Sequence, residues 1–202
     1  AIFEDKELAA ELDAKGYQFS SANSINIGRL VPQVVYYVYA YAKLLENEEI
    51  QAGEEINVTV PTGNFGNILA AYYAKQMGVP IAKLICASND NKVLFDFFQT
   101  GVYDRNREFI LTSSPSMDIL ISSNLERLLF DLSGENDAQI REYMDALAQS
   151  GRYEVSDAIK AALAEQFWGG FCDEAGTTAA IAKYYKDYGY LIDPHTAVAW
   201  SV

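Results

Sequence analysis

A short apolar alternation, Ile56, Val58 and Val60, runs directly into Gly63-Asn64-Phe65-Gly66-Asn67, and a helical pattern follows from about Ile68 to Met77. This order of strand, glycine loop and helix narrows the folds open to the chain more than any other stretch. Two glycines separated by two residues let the backbone turn sharply and come close to a ligand. The amides that follow belong to a helix N-terminus, where the helix dipole favours negative charge. The stretch is therefore a candidate phosphate cradle. No Gly-Lys-Ser/Thr follows, so it is not a Walker loop, and the spacing is not the dinucleotide G-x-G-x-x-G. On spacing alone, a tight strand-to-helix turn with no ligand fits as well.

The rest of the chain repeats the alternation. Glu4 to Lys15 reads as an amphipathic helix stopped by Gly16, and Tyr17 to Ser21 as a short strand. Asn23 or Ser24 is placed to cap a long helix from about Ile25 to Leu45, with Pro32 bending or breaking it. Ile56 to Val60 is the clearest strand, expected buried at or near the sheet centre. Ala82 to Ala87 is a second buried strand and Phe109 to Leu111 a third. Helices are expected over Val93 to Gln99, Asn124 to Leu132, Asn136 to Gln149, Ser156 to Gln166, Thr177 to Tyr188 and Pro194 to Val202. Phe167 to Phe171, with two glycines, reads as irregular. The predicted fold class is α/β, a three-layer αβα domain with a short, mostly parallel sheet. In such sheets ligands bind beyond the carboxyl ends of strands, where the Gly63 loop stands. No linker interrupts 1–202, so one domain is expected.

Composition removes several function classes. A net charge of −13 argues against nucleic acid or an anionic membrane as partner, although a local nest of backbone amides still holds a phosphate on an acidic protein. No apolar run approaches the ~18 residues of a membrane span. Cys86 and Cys172 are the only cysteines, far apart and without a CxxC pair. With a single histidine, no metal site is recognisable. A free buried thiol at Cys86 and no visible signal peptide point to a reducing, cytoplasmic setting. The first residue is Ala rather than Met, which is expected of a processed chain, a tag remnant or a chain that begins inside a longer protein.

Four segments carry a family resemblance. Ser21-Ala22-Asn23-Ser24-Ile25-Asn26-Ile27-Gly28-Arg29-Leu30 resembles the S-A-N-S-I-N-x-x-R-L segment of threonine synthases. Val60-Pro61-Thr62-Gly63-Asn64-Phe65-Gly66-Asn67 is similar to that family's cofactor-phosphate loop. Ser116-Met117-Asp118-Ile119 with Ser123-Asn124-Leu125-Glu126-Arg127, and Asp193-Pro194-His195-Thr196-Ala197-Val198-Ala199, are similar to later segments in the same order. The resemblance implies a pyridoxal-phosphate lyase of the tryptophan-synthase-β type (fold type II), acting in threonine biosynthesis. Such an enzyme converts O-phosphohomoserine and water to threonine and phosphate.

The resemblance also implies site residues and an omission. Gly63, Asn64, Phe65, Gly66 and Asn67 would hold the cofactor phosphate through backbone amides. Ser24, Asn26 and Arg29 are candidate substrate contacts, the Arg29 guanidinium being suited to a phosphate or carboxylate. The plainer alternatives are helix capping for the first two and a surface pair for Arg29. Asp118, Asn124 and Arg127 read as capping or ion-pair residues, and His195 as a structural hydrogen-bonder. The lysine segment that forms the family's Schiff base with the cofactor, of the form S-x-x-x-K-D, is not found. Lys6 and Lys15 match no such motif. A carboxyl-terminal segment near the pyridine nitrogen is not found either. The chain is thus expected to be the central and later part of the large, cofactor-binding domain, with no catalytic residue of its own and no turnover alone. A cut sheet edge would favour a homodimer. The alternative is a standalone phosphate-ligand or regulatory module derived from such an enzyme.

Overall fold

The computed structural model describes residues 5–20 and 25–202. Three parallel strands form the sheet in the order β1-β2-β5: β1 is Ile56–Pro61, β2 is Ile81–Ser88 and β5 is Phe167–Phe171. Val60 pairs with Cys86, and Cys86 in turn with Gly169. Between β1 and β2 runs α4 (Gly66–Gln76). Between β2 and β5 run α5 (Val93–Thr100), α6 (Leu125–Leu132), α7 (Asp137–Ser150) and α8 (Asp157–Gln166). A separate antiparallel pair, β3 (Val102–Asp104) and β4 (Arg152–Glu154), extends this insertion.

Successive residues of a strand face opposite sides of its sheet, and β2 shows helices on both. Leu84 and Cys86 belong to the main core with Ile68 and Leu69 of α4, Phe97 of α5 and Leu163 of α8. Ala87 packs instead with Met117, Cys172 and Val198 of α10 (Pro194–Ser201). The three-layer αβα arrangement with a short parallel sheet is therefore present. Before β1 the described chain forms α1 (Lys6–Ala14), α2 (Ile27–Leu30), a 3-10 turn at Val31–Gln33 and α3 (Val34–Glu46); α9 (Glu174–Tyr188) precedes α10.

Several sequence expectations are corrected. The central strand is β2, not β1. Within the sheet β1 is an edge, so Val60 is buried while Val58 is only half-buried. Phe167 to Phe171 is a strand and not irregular. Its glycines depress strand propensity, and side chains packed on the strand crowd both positions. A Cβ on Gly170 would fall 2.4 Å from Val202 Cγ1, and one on Gly169 would sit 3.0 Å from Phe98 Cβ. Phe109 to Leu111 is not a strand; its backbone runs exposed past Asn91, whose amide bonds both backbone groups of Ile110. The break expected at Pro32 is present: the helix after Ile25 is interrupted at Val31–Gln33, because Pro32 cannot donate to the helical ladder. No strand occurs over Tyr17 to Ser20. Ser21 to Ser24, including the candidate caps Asn23 and Ser24, lie outside the described residues.

Candidate phosphate cradle

The strand-to-helix turn at the carboxyl end of β1 is built by steric demands at two residues. Phe65 takes a left-handed conformation, φ 63°, immediately before α4. A non-glycine residue there costs about 1–2 kcal/mol. Burial of its ring, 1 % exposed against Phe98 and Phe167, offsets that cost. The left-handed residue is thus Phe65, while Gly66 is the first residue of the α-helix. Gly63 is needed for a different reason. A Cβ there would lie 2.4 Å from the backbone oxygen of Ser116. The loop and the 3-10 turn Pro115–Met117 touch backbone to backbone.

Neighbouring segments fix the carbonyls of the loop. Ser122 Oγ donates to the Gly63 carbonyl at 2.7 Å. Asn124, fully buried, donates its backbone N–H (3.2 Å) and its Nδ2 (2.9 Å) to the Asn64 carbonyl. On the other side Tyr37 Oη donates to Asn67 Oδ1 at 2.6 Å, and Asn67 Nδ2 donates to Gln33 Oε1 at 2.9 Å. The Asn67 side chain is therefore spent on anchoring α3 to α4. Burial pushes the Tyr37 hydroxyl well above its usual range, so it stays a donor.

With the carbonyls so engaged, the amides are what the loop presents. Among the described residues, none of the backbone N–H groups from Gly63 to Asn67 has a hydrogen-bond acceptor. Five consecutive unengaged amides, partly buried and at the positive end of a helix, satisfy the requirement for an oxyanion. The Asn64 side chain is exposed, with no partner among the described residues.

The substrate candidates fare differently. Asn26 caps α2, its Oδ1 accepting from the Gly28 N–H at 2.9 Å. Arg29 is exposed, one helical turn before Gln33, and its backbone carbonyl accepts from Gln33 Nε2. No ion pair of Arg29 occurs among the described residues. Ser24 lies outside them. Arg127 bonds the buried Asn124 side chain and, at 2.5 Å, the Ile25 carbonyl, tying the start of this segment to α6.

Two further residues shape the Ser116 side of the cradle. Burial opposes the charge of Asp118. Hydrogen bonds from the Thr112 backbone and hydroxyl, Asn89 and Asn91 outweigh it and hold the carboxyl below its usual range. His195 accepts the Ser116 N–H at Nε2 (3.2 Å), which places its proton on Nδ1, 3.0 Å from Asp193 Oδ1. It is a structural hydrogen-bonder, as its position at a helix start suggests. Ser116 and Ser122 are the residues sequence reading missed. Ser116 opens one of the family-like segments and Ser122 directly precedes another, but neither was assigned to the cradle. Among the described residues no group of three or more His, Cys, Asp or Glu is placed to hold a metal ion, and no helix is long and apolar enough to cross a membrane.

A short parallel sheet between helices, with an amide-lined turn at a strand's carboxyl end, is the architecture of pyridoxal-phosphate enzymes of fold type II. No family model matches the chain. It is 48 % identical over 200 residues to the human protein named threonine synthase-like 1, covering 98 % of this chain and 27 % of that one. It is 37 % identical to threonine synthase of Eremothecium gossypii, covering 98 % of this chain and 40 % of the relative. The crystal structure of pyridoxal-phosphate-bound threonine synthase from Brucella melitensis superposes with a TM-score of 0.88 at 42 % identity, over all of this chain and 41 % of that one. In sequence and fold the chain is similar to one stretch of threonine synthase and threonine synthase-like proteins. It spans between about a quarter and two-fifths of the length of these relatives.

Proposed function

We propose that Gly63 to Asn67 bind the phosphate of pyridoxal phosphate, and that the chain is a piece of the large, cofactor-binding domain of its parent enzyme. The observation that carries this reading is the row of five backbone amides with no acceptor among the described residues, held open by Ser122, Asn124 and Phe65. When bound, the cofactor supplies an electron sink for chemistry at the substrate amino acid. The residues described here bind and orient it. The amides neutralise phosphate charge, the Asn64 carbonyl is held away by Asn124, and the left-handed turn at Phe65 directs the first turn of α4 at the anion. The parent reaction that fits is conversion of O-phosphohomoserine and water to threonine and phosphate, with Arg29 as the candidate contact for the substrate's anionic end. Asn26 is occupied as a cap and is better assigned to shaping that segment.

Among the described lysines, Lys75 bonds the Ala82 carbonyl, Lys83 the end of α8, and Lys92 lies over Phe171, all outside the cradle. This supports the expectation that the 202-residue chain alone does not turn over. The test is amide NMR of the labelled chain titrated separately with pyridoxal phosphate, pyridoxal and inorganic phosphate. The cradle reading requires shifts at 63–67 with the two phosphate-bearing ligands and not with pyridoxal. Equal shifts with pyridoxal, or shifts confined to other residues, overturn it.

A further inference from the structure

Asp193-Pro194-His195 is a sequence motif that lies on α10, away from β1 and α4 in sequence, and no step above uses it. Its ring nevertheless reaches the cradle through one residue. His195 Nε2 accepts the Ser116 N–H. The Ser116 carbonyl stands against the Cα of Gly63, closely enough to exclude any side chain there. The ring itself is oriented by Asp193 Oδ1, which also accepts the backbone N–H groups of His195 and Thr196. Asp193 is thus both the helix cap and the anchor of the imidazole.

We infer that His195 is a positioning residue for the phosphate cradle: by holding the Ser116 N–H it seats the 3-10 turn whose Ser116 carbonyl fixes where Gly63 sits. The inference rests on the cradle reading and adds a residue to it. His195 holds the Pro115–Ser116 peptide by its N–H, and the next peptide, across the Ser116 Cα, carries the carbonyl that stands against Gly63. If the acceptor is lost, the 3-10 turn keeps its internal bonds, Met117 N–H to Ser114 and Asp118 N–H to Pro115, but is no longer held from α10; as the turn shifts, its Ser116 carbonyl withdraws from Gly63. The amide at the head of the cradle then loses its fixed place. The seating of α10 does not depend on this bond, because Val198 packs independently on Met117 and Ala87.

Two near-isosteric variants separate positioning from simple support. Gln places an oxygen about where Nε2 lies and keeps an acceptor for Ser116. Asn reaches only as far as Nδ1 and keeps only the Asp193 contact. His195→Asn is expected to shift the Gly63 and Ser116 amide resonances without ligand. It should also speed hydrogen exchange at Ser116 and weaken inorganic phosphate binding roughly tenfold, the worth of about one hydrogen bond. His195→Gln should stay close to wild type in all three. Thermal melting of both variants controls for folding. Asn and Gln variants that behave alike overturn the inference, whether both resemble wild type or both lose the bond's effects equally. If wild type itself binds no phosphate, the cradle reading fails. The ligand-free shifts and exchange at Gly63 and Ser116 then still decide the role of His195.

Discussion

Gly63→Ala should damage both the fold and the cradle, and the size of the effect follows from one distance. The new methyl carbon would lie 2.4 Å from the Ser116 carbonyl oxygen. Ordinary carbon–oxygen contacts begin near about 3.3 Å, so the overlap is roughly 0.9 Å. Both sides are backbone, and no rotamer change relieves it. The φ of Gly63 is not left-handed, so the cost is steric rather than torsional. Overpacking of this kind costs about 1–3 kcal/mol. At about 2 kcal/mol, a domain of this size would melt roughly 4–8 °C lower. Gly170→Ala is the internal control. It meets the same 2.4 Å, but against Cγ1 of Val202, a side-chain atom rather than backbone. A side chain that swings away should keep the loss below about 0.5–1 kcal/mol, the usual range for a relieved contact. Thermal and urea denaturation of both variants, with phosphate titration of the first, provide the readout. Gly63→Ala melting within a degree of wild type, or less destabilised than Gly170→Ala, would refute the backbone contact that the cradle depends on.

Other expectations follow from individual groups. Asp118 is held below its usual range by hydrogen bonds, so its stabilisation is present above the ordinary carboxylate pKa and disappears as pH falls through the depressed one. Asp118→Asn should flatten the acid limb of a stability–pH curve, and an unchanged limb would contradict the network. Burial pushes the Cys86 thiol up to about 12, so native protein at pH 8 should resist alkylation at Cys86 until denaturant is added; rapid native labelling there would count against its place in the core. Lys83 Nζ donates to the Ala164 and Glu165 carbonyls at the end of α8, at 2.6 and 2.7 Å. Lys83→Met should cost about 1–2 kcal/mol as those carbonyls lose a charged donor, measured by denaturant midpoint. Among the described residues β1 is an edge of the sheet, with exposed Tyr36 beside it, and copies of the chain are expected to pair there. Sedimentation showing only monomer at tens of micromolar would refute that.

Local pattern and tertiary context divided this protein along physical lines. The sequence by itself determined the elements whose causes are local: Asn136, Ser156 and Asp193 cap their helices as side-chain acceptors, Gly151 ends α7 and Gly101 ends α5 in left-handed conformations, and the β1–loop–α4 unit follows from alternation, glycines and helix period. The cradle was legible for the same reason, since its amides come from five consecutive residues. Only the tertiary structure decided the rest. β5 was hidden because glycine lowers strand propensity, while the side chains that crowd those glycines, Val202 and Phe98, are distant in sequence. The edge position of β1 depends on which strands pair, not on its own apolar pattern. Phe65, a ring that local preference would not place at positive φ, is held there by Phe98 and Phe167. Ser116 reaches Gly63 from far along the chain by a backbone contact, Ser122 from 59 positions away by one hydrogen bond, and His195 acts through Ser116. Short polar side chains carry no periodic signal of such contacts, because their partners are set by how the layers pack.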